Sequence, residues 1–341
     1  MIEAQPIKAL IHYSPSPRLE VFEGARLRKT LKACCEQAGI VWLDTSLSKP
    51  DIAHFLSPKD ESKLNDFKES GVKTVVSAFY AEHDPDARFL HVGRKGKLTL
   101  SRKAKRMLAK ADLITVPSQK AVDFLRFCGV SGRIEVLLMP LLPYMTQEPP
   151  HKRKAGESYF AIMPGDKVCV CLGSFKNREG LKGLEETARL LPDVRFYFFG
   201  ATKHAFSASY NLAVSRSLSN MHVYRLTSGD LFRSLLSSAK AYLVTDPAPD
   251  FIGMGEAMAS SSSVVVIGSK EASLYDEGLV CSFAKDAKEA AVLLQAVYNL
   301  ECEESIMQAA KSAKSQSVAR GAARLSELYG SLLGENTHEN E

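Results

Sequence analysis

The sequence has little with which to cross a membrane. No apolar run approaches the roughly 20 residues needed to span a bilayer, so any membrane contact is expected to be peripheral. No stretch near its start reads as an export signal. The seven cysteines, at 34, 35, 128, 169, 171, 281 and 302, are odd in number and mostly set in apolar runs. Both features fit a reducing cytoplasm. Metal and nucleophile signatures are missing as well. Cys169 and Cys171 alternate in KVCVCLG on one face of an expected strand, too poorly spaced for a metal site, and are expected in the core. His83 stands among Glu82, Asp84 and Asp86, yet neighbours on one short loop cannot all converge on an ion. The order of residues supports no Ser, His, Asp arrangement and no cysteine nucleophile.

What is present is ordinary globular material: 341 residues, 45% hydrophobic and 24% charged, a length more comfortable as two domains than one. Short β-branched runs alternate with helical patterns: KALIHY (8–13), GIVWL (39–43), DIAHFL (51–56), KTVVSAF (73–79), DLITVP (112–117) and RIEVLL (133–138). Such alternation predicts an α/β domain with a mostly parallel sheet covered on both faces, Rossmann-like, over 1–142. The stretch PYMTQEPPHKRKAGES (143–158) reads as an exposed connector.

A second series follows: KVCVCLG (167–173), DVRFYFFG (193–200), MHVYR (221–225), KAYLVT (240–245), SVVVIG (263–268) and LVCSF (279–283). It predicts a second Rossmann-like domain over 159–302, then one long helix over 303–333 and a polar tail, 334–341. Doubly wound sheets bind ligands beyond the carboxyl ends of their strands, so two facing sheets create a cleft with one ligand on each side. A two-substrate reaction is the natural use.

The succession ADLITVPSQKAVDFLRFCGV (111–130), VCLGSFKNREGLKGLEETARLLPDVRFYFFG (170–200) and GEAMASSSSVVVIG (255–268) resembles the retaining nucleotide-sugar glycosyltransferases of family 4. Their fold is GT-B, two doubly wound domains facing a cleft. The compact N-terminal half looks most like the short, lipid-directed members similar to diglucosyldiacylglycerol synthases. The resemblance implies a UDP-linked donor, no metal and no cofactor beyond that donor, and an acceptor such as a glycolipid or cell-envelope glycan.

In that family two glutamates spaced by seven residues hold the donor, the second gripping the nucleotide ribose. Glu256 matches the second, while the first falls on Ala248, with Asp250 the nearest carboxylate. Gly253 and Gly255 are expected to let the backbone approach a ligand closely, and Glu256 to stand at a helix start with free amides. An arginine after the glycine of the first C-terminal strand, and a lysine five further on, usually neutralise the diphosphate, whose charge grows as it leaves. Here Gly173 is followed by Ser174, and the lysine position is Glu179, so Lys176 or Arg178 is expected to substitute. His83 is the imidazole nearest the family's N-terminal histidine. The usual glycine-rich loop after the first strand is reduced to FEGARLRK (22–29), with Gly24 alone. Where members commonly run G, x, P before the next strand, this chain has Ser261, Ser262 and Ser263.

The net charge of +5 is modest but concentrated. GRKGKLTLSRKAKRMLAKADL (93–113) holds eight cations and no acid before Asp112. As a helix from about 101 to 111 it gathers Leu100, Ala104, Met107, Leu108 and Ala111 on one stripe. Arg102, Lys103, Lys105, Arg106 and Lys110 fall outside that stripe. This is the pattern of a basic helix facing an anionic membrane, or of a solvated helix whose stripe packs on its own sheet. Aromatics that would stack on bases are missing, so nucleic acid is not expected. Two readings follow: an active transferase, peripheral at the inner face of the cell membrane, or an inactive relative serving as partner or regulator of an active glycosyltransferase.

Overall fold

The computed structural model describes residues 5–13, 23–78, 90–92, 98–146, 150–175, 177–201, 208–225, 229–245, 251–268 and 282–334. Its first lobe runs β1 (Lys8–His12), α1 (Glu23–Gln37), β2 (Val41–Leu43), β3 (Ile52–Phe55), α2 (Glu61–Glu69) and β4 (Lys73–Ser77). A short antiparallel hairpin follows, β5 (Leu90–Val92) with β6 (Leu98–Leu100). Then come α3 (Arg102–Lys110), β7 (Leu113–Val116), α4 (Gln119–Phe127) and β8 (Ile134–Val136). Six of these strands form one parallel sheet in the order β2-β1-β3-β4-β7-β8. Central strands such as β3 and β7 are buried along their whole length, which is why they read as unbroken apolar runs. Helix starts follow side-chain caps: Ser101 accepts from Ala104 N–H at α3, and Ser118 from Ala121 N–H at α4.

The described residues of the connector are helical. They form α5 (Pro143–Thr146) and α6 (Pro150–Tyr159), each beginning with a proline. Proline at a first helical position costs no hydrogen bond, so the residues read as breakers are start signals instead. The second lobe continues with β9 (Lys167–Ser174), α7 (Arg178–Leu190), β10 (Val194–Ala201), α8 (Ala208–Ser215), β11 (Met221–Arg225) and α9 (Gly229–Leu236). It ends with β12 (Ala241–Val244), α10 (Phe251–Ala259), β13 (Ser263–Ile267), β14 (Ser282–Ala284) and α11 (Ala287–Tyr298). Its six strands are parallel in the order β11-β10-β9-β12-β13-β14. Cys169 and Cys171 lie fully buried in its core, as expected.

The single long helix expected at the end is two, α12 (Glu303–Ser315) and α13 (Val318–Gly334). The break occurs because the chain changes lobes. Ala309 and Ala313 of α12 pack in the second lobe's core, whereas Ala322, Leu325, Leu328, Tyr329 and Leu332 of α13 complete the core of the first. Ser317 marks the new start by accepting from Arg320 N–H. Gly321 permits the crossing, since a Cβ there would lie 2.7 Å from Pro140 and 3.0 Å from the Cys34 sulfur. The chain therefore straps its two lobes together with its own last helix.

Candidate functional site

In each lobe the chain order reverses between two adjacent strands, and the crevice beyond their carboxyl ends is where such sheets take ligands. In the first lobe that point lies between β1 and β3. His12 ends β1, and its Nε2 lies 3.1 Å from Oδ2 of Asp60, the residue that caps α2. Its ring meets Phe55 edge-on at 4.8 Å. Burial, reinforced by the Lys63 charge, lowers the His12 pKa against the opposing pull of Asp60, so the imidazole is neutral at pH 7. Nothing in the sequence singled out His12, although a histidine closing the first strand of a doubly wound sheet is placed to meet a ligand. His83 lies outside the described residues.

The second lobe reverses between β9 and β12. Gly173 is buried in β9 opposite Gly200, and Asn177 caps α7 by accepting from Gly180 N–H at 3.0 Å. Arg178 opens α7 and is exposed. It lines a cavity of about 350 Å³ between α7 and α8, together with Lys182, Glu185 and Arg216. Lys176, Asp250 and Ala248 lie outside the described residues.

Between the lobes, α1 and α10 meet. Leu27 and Ala33 of α1 pack against the second lobe's core, while Phe251 of α10 packs against the first's. At the centre of this seam Arg26 Nη1 donates to Glu256 Oε2, and the two side chains are only 6% and 1% exposed. One expectation is corrected here. Glu256 is the sixth residue of α10, so it does not stand at the helix start, and the free amides belong to the first turn instead. Gly255 packs close to Leu141, where a Cβ would lie 3.1 Å away, and borders the small cavity beside the seam; Gly253 is also buried. The reason is composition: FIGMGEAMA is apolar on every side except Glu256, and such a helix is buried all round. The stretch FEGARLRK, read as the remnant of a glycine loop, supplies from Glu23 onward the first turns of α1, and it carries Arg26.

The pair belongs to a larger cluster. Arg233 of α9 lies 5.0 Å over the ring of Tyr144, pairs with Asp230, and Asp230 is 4.0 Å from Lys152. Burial raises the Tyr144 pKa, with Arg233 and Arg26 opposing the shift and Glu256 and Asp230 adding to it, so these four charges all act on one ring. Beside the seam a small cavity of about 60 Å³ is lined by Leu27, Ser77, Thr115, Phe251, Gly255 and Gln316. Behind its wall runs a buried polar chain. Tyr329 Oη lies 2.7 Å from His54 Nδ1, His54 Nε2 is 2.8 Å from Ser77 Oγ, and Ser77 Oγ is 2.9 Å from Thr115 Oγ1. Burial pushes the His54 pKa down to about 3, so the ring is neutral.

The basic helix α3 forms where expected, but its stripe is spent internally: Ala104, Met107 and Leu108 are fully buried against the sheet. An apolar face free to enter a bilayer is thereby removed. Arg102, Lys103, Lys105, Arg106 and Lys110 remain exposed, two of them held by Glu61, at 3.0 Å from Arg106 and 2.9 Å from Lys110. No helix among the described residues is long and apolar enough to cross a membrane, and none of their His, Cys, Asp and Glu side chains group as metal ligands.

No protein-family model matches the chain, and no curated protein matches it by sequence. Solved structures do match. A glycosyltransferase from Rickettsia africae shares 11% identity over 97% of this chain and 99% of that one, with a TM-score of 0.65. Anabaena HepE, in complex with UDP-glucose, shares 14% identity over 96% and 100% of the two chains at a TM-score of 0.66. Sucrose-phosphate synthase from Thermosynechococcus elongatus shares 13% over 95% and 81% at 0.64. The shared property is the fold, the two-lobed GT-B arrangement.

Proposed function

We propose that the protein is a nucleotide-sugar glycosyltransferase, with the donor in the second lobe and the acceptor in the crevice of the first. The observation that carries this reading is the pair of chain-order reversals, between β1 and β3 in the first lobe and between β9 and β12 in the second, which give each lobe a crevice for one of two substrates, as a transfer between them requires. The fold shared with glycosyltransferases, one of them in complex with UDP-glucose, supports it. Family 4 membership, a UDP-linked donor and transfer with retention follow from the motif resemblance around Glu256. No metal or separate cofactor is required, the departing diphosphate itself helping to deprotonate the acceptor. His12, neutral and oriented by Asp60, stands on the acceptor side. The acceptor is a glycolipid or envelope glycan brought near by the cations of α3, which anionic headgroups attract by about 1 kcal/mol per Lys or Arg.

A second reading is favoured by Ser174 and Glu179, which stand where diphosphate-binding cations belong: an inactive homologue that partners or regulates an active glycosyltransferase. Calorimetric titration with UDP and UDP-sugars, followed by transfer and hydrolysis assays with Glu256→Ala as control, separates the two. Binding with turnover establishes the enzyme. Binding without turnover from any common nucleotide sugar establishes the inactive homologue, and no binding removes the nucleotide from both.

A further inference from the structure

We infer that Arg26 is the cation that receives the donor's diphosphate, and that its pairing with Glu256 is the resting state of that contact. The inference rests on the donor reading above. Where the second lobe is expected to present two cations it presents Ser174 and Glu179; of the two substitutes that the sequence offers, Lys176 lies outside the described residues and Arg178 is exposed on the cavity between α7 and α8. A dianion leaving group still requires fixed positive charge nearby. The structure brings one from the opposite lobe. Arg26 lies in the first turns of α1, the helix that follows β1 at the first lobe's crevice, and it reaches Glu256, the residue placed to grip the ribose.

The surroundings favour an anion. Arg26 pairs with Glu256 and Arg233 with Asp230, and the charges of both pairs act on the Tyr144 ring, which Arg233 overlies at 5.0 Å. A guanidinium forks onto phosphate oxygens as readily as onto a carboxylate, so one side chain serves both partners. Packing alone does not call for charge at this point. Leu27, Ala33 and Phe251 already join the lobes with apolar contacts, and a buried ion pair seldom stabilises more than an apolar pair of the same volume. When the diphosphate arrives, Arg26 turns to it and Glu256 is released to the ribose hydroxyls, so one exchange of partners engages both groups with the donor.

The test compares UDP with uridine by calorimetry on the full chain, because only UDP carries the diphosphate. The wild type is expected to prefer UDP. Glu256→Gln leaves Arg26 charged and keeps that preference, whereas the double variant Arg26→Gln, Glu256→Gln lowers UDP affinity by about 10- to 100-fold relative to Glu256→Gln, with uridine affinity held within about twofold. The paired amides of the double variant can hydrogen-bond each other across the seam, and thermal melting of both variants confirms that each is folded. Equal losses for UDP and uridine, or an unchanged preference for UDP, overturn the role of Arg26 while leaving the donor reading intact. A wild type that binds neither compound overturns both.

Discussion

Two helices carry the charges that draw the eye in this sequence, and the structure treats them oppositely. Helix α3 buries three apolar side chains and spreads five cations into solvent. Helix α10 buries nearly everything, including its one carboxylate. Five exposed cations do little for the fold, because water and salt screen each of them. One buried carboxylate does much, because its ion pair with Arg26 sits in low dielectric, where losing the guanidinium is costly. Position relative to solvent decides the weight of a charge.

The largest expected effect breaks the buried side of that contrast. Arg26→Met leaves Glu256 without its guanidinium and should lower unfolding free energy by about 3–5 kcal/mol in urea titration, while Arg26→Met, Glu256→Met together should recover most of the loss. A single variant as stable as the wild type would show that the seam is wet. Next comes His54, buried and neutral. Its folded pKa near 3 lies below the ordinary 6.5, so as pH falls through 6.5 the unfolded chain takes a proton that the folded chain refuses. Stability from this group is full above pH 6.5 and is lost on acidification, by about 2 kcal/mol at pH 5. Thermal melts of His54→Gln should therefore show a flatter slope between pH 6.5 and 5; an unchanged slope would locate the acid sensitivity elsewhere.

Ser261 offers a smaller and opposite effect. It holds φ at +63°, the left-handed region that costs a non-glycine residue roughly 1–2 kcal/mol. Ser261→Gly should raise stability by about 1 kcal/mol by denaturant titration, consistent with the glycine common at this place in the resembling family. Its neighbour Ser262 needs no such change, since its buried hydroxyl donates to Ala239 O at 2.9 Å. The smallest effect lies on α3. Lys103→Glu with Lys105→Glu should leave the melting curve within about 0.5 kcal/mol of wild type yet reduce sedimentation with anionic vesicles relative to neutral ones. Equal sedimentation of both proteins would leave α3 as a solvated helix only.

All twelve strands of the two large sheets could be read from the sequence, because central parallel strands buried on both faces leave continuous β-branched and aromatic runs and the regular alternation with helices marks the half-buried edge strands such as β2 and β11. The helix from Ser101 was legible for a related reason: a cap and a stripe are local signals. Glu256 was legible as an isolated acid in an apolar helix. Its partner was not, since Arg26 lies 230 residues away among other cations, with nothing local to mark it. The prolines of α5 and α6 misled because proline marks a helix start and a helix break with the same letter. His12 stayed hidden because its meaning comes from strand order, and order is a property of the sheet.

By itself, then, the sequence determined where the strands of the two large sheets and helix α3 form, that two doubly wound lobes follow one another, and that charge gathers on one helix. These depend on periodicity and caps, which act over a few residues. Only the tertiary structure decided what covers each face: that the stripe of α3 packs on its own sheet, that the last helix returns to the first lobe, and that Arg26 meets Glu256. A hydrophobic pattern tells a segment which side to bury, but the partner it is buried against is chosen by the packing of the whole chain.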